Sequence, residues 1–294
     1  MNKPIKNSNG IKTKPFIIIR IIFILCSLGS LTGFPWAFLP WDTVAGMTNS
    51  KGEILIDSSL QTIFLFRIQC LFFGAFSGFY LFMAYQPVRY RNLIFISSLL
   101  MLLMSAAMVY VRNISGLYTS LTAYEHYIWL VIGIAMFLSW FFELRKYSNN
   151  HTEKQHSKYT LHKILKLLGI ILFANTFWVI MPQNLIEATM KLLKLPSYFG
   201  NPYSEYAAGL IFFFLGILGI TLFVCAMKPE QYKPILKFIA SYTMLTFICL
   251  TVWMFEHAKW NIFTILVSLL CAIIGISILI FICKNSKLKA HENV

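Results

Sequence analysis

The sequence predicts an all-α polytopic membrane protein with eight transmembrane helices, arranged as two parallel four-helix repeats. Three observations lead there. Of the 294 residues, 58% are hydrophobic and 12% charged, about half the ~25% charged share of a soluble domain. The apolar residues gather in eight stretches of roughly 19–25 residues, each enough to cross a ~30 Å hydrocarbon core at ~1.5 Å per residue. The chain also repeats itself: Trp36, Pro40, Gly74, Pro87 and Tyr90 return 142 residues later as Trp178, Pro182, Gly216, Pro229 and Tyr232. Ile132-Gly133-Ile134 returns at the same offset as Ile274-Gly275-Ile276. Matches kept without a gap over so long a stretch point to a tandem duplication.

Taken in order, residues 1–15 form a basic tail with Lys3, Lys6, Lys12 and Lys14, and an apolar run follows from Phe16 to Leu39. A charged segment ahead of an apolar run is the pattern of a signal peptide. Here the run continues through Trp36 with no small-residue cleavage site, and its counterpart at 163–182 lies mid-chain, so it reads as a retained first helix. Arg20, one turn inside, is long enough to snorkel to the interface. The remaining spans are expected at 60–84, 93–111, 126–144, 163–182, 207–227, 235–255 and 260–283. The first repeat thus covers 16–144 and the second 163–283, with a polar linker at 145–162 and a tail at 284–294. Four spans per copy is an even number, so both copies share one orientation and are related by an axis along the membrane normal.

The basic residues set that orientation. With this topology 18 of the 25 Lys and Arg fall on the side of the termini and 5 on the other, which places both termini in the cytoplasm of a cell (inner) membrane protein. The net charge of +14 therefore serves topology and anionic lipid, and no polar segment interleaves aromatic and basic residues as a nucleic-acid surface would. The expected partner is the lipid bilayer, with no nucleic acid. Six cysteines all lie in apolar segments without a CxxC pair, so neither a disulfide nor a cysteine-ligated metal is expected. His151, His156 and His162 in the linker match no metal-ligand spacing. No cofactor motif is present: there is no Walker sequence, nucleophile elbow, HExxH or dinucleotide fingerprint.

On the outer side, Pro40-Trp41-Asp42 and Pro182-Gln183-Asn184 close the first span of each copy, with Asp42 and Asn184 placed to cap the helices that follow. Leu185–Leu195 reads as an interfacial amphipathic helix, with Glu187, Lys191 and Lys194 on one stripe and Ile186, Met190 and Leu193 opposite. Gly74, Gly78, Gly216 and Gly219 are expected to allow close helix packing inside each copy.

Arg67 is the most informative single residue. It lies about seven residues into the second span, roughly 10 Å below its outer start, where a charge without a partner or water costs ~2–3 kcal/mol. Its counterpart is Gly209, so the duplication alone does not account for it. A salt bridge to Asp57 or Glu125, or snorkelling to lipid phosphate, would satisfy it structurally. As a site, it would grip an anionic head group in an outward-facing pocket with Asp57, Glu125 and His126 in its wall. Glu125-His126 and Glu256-His257 carry groups suited to proton chemistry near neutral pH, although a Glu in a first helical turn is explained by the helix dipole alone.

Each copy resembles the small four-helix bacterial membrane proteins of the BphX-like and DoxX-like kind. The resemblance rests on Arg67, Gly74, Pro87, Tyr90 and Arg91 in the first copy and on Gly216, Pro229, Tyr232 and Lys233 in the second, which lacks the Arg. It implies the fold rather than an activity. The function expected is non-catalytic: binding of an amphipathic, lipid-like ligand or a membrane partner protein around Arg67. A secondary transporter with its path between the repeats, and a membrane enzyme acting on a lipid or quinone, are the alternatives. Sparse intramembrane polar residues weigh against the first, and the lack of a base beside a nucleophile against the second.

Overall fold

A computed structural model describes residues 16–48, 59–116, 120–145, 160–181, 183–192, 202–256 and 262–292. Every element among them is a helix: α1 (Ile17–Leu31), α2 (Gly33–Phe38), α3 (Trp41–Thr48), α4 (Leu60–Tyr85), α5 (Arg91–Ser115) and α6 (Ser120–Ser139), the last continued by a π-turn at Trp140–Leu144. They are followed by α7 (Thr160–Ala174), α8 (Phe177–Ile180), α9 (Gln183–Leu192), α10 (Pro202–Met227), α11 (Pro229–Glu256) and α12 (Ile262–Glu292). Seven helical stretches are long and apolar enough to cross a membrane, from Ile17–Phe38 to Pro229–Phe255. The expected eighth span lies in α12, whose apolar part among the described residues is the shorter Ile265–Ile280. Residues 1–15 and most of the linker lie outside the described residues, whereas α12 continues helically through the expected tail to Glu292.

The two ends of the first span explain its shape. It was expected as one helix, but it breaks at Thr32 between α1 and α2. Pro35 has no N–H to offer the carbonyl of Leu31, so the ladder fails there. The Thr32 hydroxyl turns back to Gly29 O at 2.6 Å. The corresponding break between α7 and α8 has Phe177 in place of Pro35. There Asn175 and Thr176 compete for the backbone instead, Asn175 Nδ2 donating to Ile171 O at 3.1 Å and Thr176 Oγ1 to Phe173 O at 2.7 Å.

α3 and α9 follow these broken spans. In α9, Ile186 and Met190 are buried while Glu187 and Lys191 face out, the amphipathic pattern read from the sequence. The capping roles expected of Asp42 and Asn184 are corrected. α3 starts at Trp41, with Pro40 O accepting its first bond from Val44 N at 3.1 Å, and α9 starts at Gln183, so both residues lie one position inside the first turn. An acid at that position still favours the helix dipole.

α4 and α10 form the centre. The buried share of their spans is 61% and 67%, against 28–44% for the other five, so these two are enclosed by protein and the rest face lipid on one side. α1 packs on α4 and α7 on α10, and the contact residues correspond at the same offset of 142. Ser27 meets Ser77, with Ser27 Oγ donating to Ser77 O at 3.0 Å. Gly169 meets Gly219 so closely that a Cβ on Gly219 would stand 2.6 Å from Gly169 O. Small residues at both places let the backbones approach. Likewise α6 lays Gly133 on Leu102 of α5, and α12 lays Gly275 on Met244 of α11. Gly216 packs inside its own half, against Thr176, as expected. Gly74 packs on Phe34 of its own half in the same way and also meets the Tyr242 hydroxyl of α11, whereas Gly78 differs, accommodating the Phe238 ring from α11 of the other half.

Where the halves meet along α4 and α10, residues touch their own counterparts. Thr62 and Ser204 hydroxyls lie 2.9 Å apart near one end, the Phe72 and Phe214 rings pack at 6.4 Å in the middle, and Tyr90 stacks on Tyr232 at 6.0 Å at the other end. Beside the tyrosines, Arg89 Nε donates to Gln231 O at 2.8 Å and Nη2 to Glu230 O at 3.3 Å, while the Gln231 amide donates to Arg89 O. Burial pushes the Tyr90 phenol up from its ordinary value, against the opposing pull of Arg89.

Candidate functional site

Arg67 stands half-buried on α4, its guanidinium carbon 5.6 Å from the centre of the Trp253 ring on α11. Trp253 is itself buried and stacks at 5.3 Å on Phe64, one turn before Arg67. A cation over an indole face is attracted by the ring quadrupole, and more strongly where water is scarce. The matching place between α10 and α5 is built differently. Gly209 stands where Arg67 would, and Val111 where Trp253 would, so close that a Cβ on Gly209 would lie 2.8 Å from Val111 Cγ1. One seam is closed by a small pair and the other is held apart by a large cationic-aromatic pair.

Glu125 accepts a 2.5 Å hydrogen bond from the Tyr206 hydroxyl of α10. Nearby, Tyr203 donates to Gln69 Oε1 at 3.1 Å. Gln69 and Arg67 are two residues apart, about 200° around α4 at 3.6 residues per turn. Arg67 and the Gln69 side chain that Tyr203 reaches therefore leave α4 on different faces. His126 lies beside Glu125 with its ring 3.9 Å from that of Tyr127, and its backbone carbonyl accepts from Ser105 Oγ at 2.8 Å. Asp57 and His257 lie outside the described residues. Among the described residues no group of three His, Cys, Asp or Glu is arranged to hold a metal ion.

Sequence reasoning missed a cavity between the halves. It is lined from α4, α5, α10, α11 and Cys271 of α12. Its cavity volume is about 50 Å³. On α4 it runs from Phe72 to Met83, about 16 Å at 1.5 Å per residue. Seven pairs of its lining residues are 142 apart in sequence, among them Phe72 with Phe214 and Phe79 with Thr221. The repeat offset was the signal that would have found it, because residues on a two-fold axis meet their own equivalents.

Six hydroxyls reach this lining, and each already has an internal acceptor. Thr221 donates to Ile217 O at 2.8 Å, Thr243 to Ile239 O at 2.9 Å and Thr246 to Tyr242 O at 2.9 Å. Tyr242 donates to Leu71 O at 2.6 Å, Tyr80 to Met101 Sδ at 3.5 Å and Ser97 to Met83 Sδ at 4.0 Å. What the wall offers an occupant is hydrocarbon and aromatic surface. A second cavity lies at Gly209, between Val111, Trp178, Ile186 and Glu205. Arg67 lines neither of the two. Comparison with family models, with curated proteins and with solved structures gave no match.

Proposed function

We propose that the protein is a tandem duplication of one four-helix membrane unit, with α12 as its eighth span and both termini cytoplasmic in the inner membrane. In this reading it is non-catalytic and binds an amphipathic, lipid-like molecule on its outward face, at the α4–α11 seam where Arg67 stands. Support for the duplication comes from the paired contacts at offset 142 within each half and across the axis. Support for the orientation comes from the 18-to-5 distribution of basic residues.

The observation that carries the binding reading is the Arg67–Trp253 pair set against Gly209–Val111. At the α4–α11 seam Arg67 offers a fork suited to a carboxylate or phosphate, backed by an aromatic face that can receive an apolar chain. A transporter path would lie between the halves, but the engaged hydroxyls there weigh against a hydrophilic solute. An enzyme built on Glu125 would need a nucleophile beside it, whereas the group given there is the Tyr206 hydroxyl.

The test uses sealed vesicles and a dansyl-labelled fatty acid added from the outer face. Arg67→Leu should weaken binding at least tenfold with unchanged thermal unfolding, and Arg67→Lys should retain part of it. Equal binding by Arg67→Leu, or loss of the folded protein, assigns Arg67 to structure alone.

A further inference from the structure

We propose that the narrow cavity between the halves holds one acyl chain of an anionic phospholipid from the leaflet at the basic end of the bundle. This site is separate from the Arg67 seam and stands on its own observations.

The first is the wall. A quinone ring, a sugar or a charged solute needs hydrogen-bond partners, and burying such groups without them is costly. All six lining hydroxyls donate to carbonyls or thioethers of the protein itself. An unbranched hydrocarbon asks for none of them and gains from burial against the rings of Phe72, Phe76, Phe79 and Phe238.

The second is shape. The lining runs about 16 Å along α4 around a cavity volume of about 50 Å³, a long and slender space that suits one chain. Methyl-branched isoprenoids would fill it less well than a straight acyl chain.

The third is where it ends and what stands there. Its lower limit is marked by Met83 and Leu93, two residues from the end of α4 and the start of α5. Arg91 is at that start, and Lys237 precedes the lining residue Phe238 on α11. Lys228 and Lys237 are exposed and Arg91 and Lys233 half-buried at this end, with Glu230 as the acid on the same turn. Positive charge at this end of the bundle fits a lipid phosphate whose chain lies in the slot. Phe72 and Phe214 close the top of it near mid-membrane.

The experiment reconstitutes the full chain in vesicles of phosphatidylglycerol carrying a diazirine midway along one acyl chain, irradiates them and maps the labelled peptides. Labels are expected on residues 72–83 of α4 and 238–246 of α11, besides the lipid-facing side of α1. Thr221→Phe should cut the cavity labelling at least fivefold and leave α1 labelling unchanged. Phe is a side chain that the fold already carries at the counterpart position, Phe79, and Ala75→Leu serves as the second filling variant if Thr221→Phe is poorly folded. The double variant Arg91→Gln with Lys237→Gln should reduce cavity labelling about threefold for phosphatidylglycerol and not for phosphatidylcholine. Arg67→Leu should leave the pattern as it is. Cavity labelling that survives both filling variants, or stronger labelling by a diazirine isoprenoid of equal length, overturns the proposal. So does a phosphatidylcholine probe that labels the cavity as well as the anionic lipid.

Discussion

Tyr90 and Tyr232 stack on one another with ring centres 6.0 Å apart and planes at 26°, and each is the other's counterpart at an offset of 142 residues. Two residues in equivalent places touch only near the axis that relates them. Under the proposed duplication the pair marks that axis, and Arg89 and Gln231 lock the two turns beside it by reciprocal hydrogen bonds.

That lock should be measurable. Arg89→Ala removes donors from two backbone carbonyls, each bond to a charged group being worth about 1.5–3 kcal/mol. Gln231→Ala leaves Arg89 O without its partner. Thermal unfolding in detergent should fall by several degrees for each, and the double variant should fall by less than the sum, since the two act together. Strict additivity would mean that the turns are independent.

Close helix packing gives an asymmetric expectation. Ser77→Ala removes one hydroxyl contact and should cost about 1 kcal/mol. Gly219→Ala sits at the counterpart position but brings a Cβ to 2.6 Å from Gly169 O, a backbone atom that cannot rotate away. It should be the more damaging change, by about 1–3 kcal/mol for overpacking. Unfolding midpoints of the two variants decide the order.

The Glu125–Tyr206 bond makes a similar comparison. Tyr206→Phe removes the donor and leaves the carboxyl group facing an apolar ring, at a cost of about 1–3 kcal/mol. Glu125→Gln keeps an acceptor oxygen and should be milder. If the glutamine variant were the worse, the carboxylate charge itself would be needed, and a catalytic or ion-binding role would gain support.

Orientation is tested by reporter fusions. Fusions after Val294 and within 145–162 should report the cytoplasm, and fusions within 49–57 the opposite compartment. A shared compartment for 49–57 and the C-terminus would remove the eight-span topology.

Much of the fold was legible because the membrane imposes length and composition on each span. α4 begins at Leu60 and ends at Tyr85, against an expected 60–84, and α11 covers the expected 235–255 with a turn to spare. The break at Thr32 was not read, although Pro35 stood in view, because apolar continuity outweighed the missing donor. The site was less legible. Arg67 stood out by its depth, but Trp253 is 186 residues away and only packing brings them together. The cavity left no local signature at all, since it arises where side-chain sizes in the two halves fail to match, as at Phe79 and Thr221.

The unequal seams have a genetic consequence. In a homodimer of a four-helix unit, a codon changed to arginine appears at both interfaces, together with whatever charge and crowding it brings. Joined in one reading frame, the units are free to diverge position by position. Under the proposed duplication, Arg67 with Trp253, and Gly209 with Val111, are two solutions of one ancestral interface that no single-copy gene could hold at once.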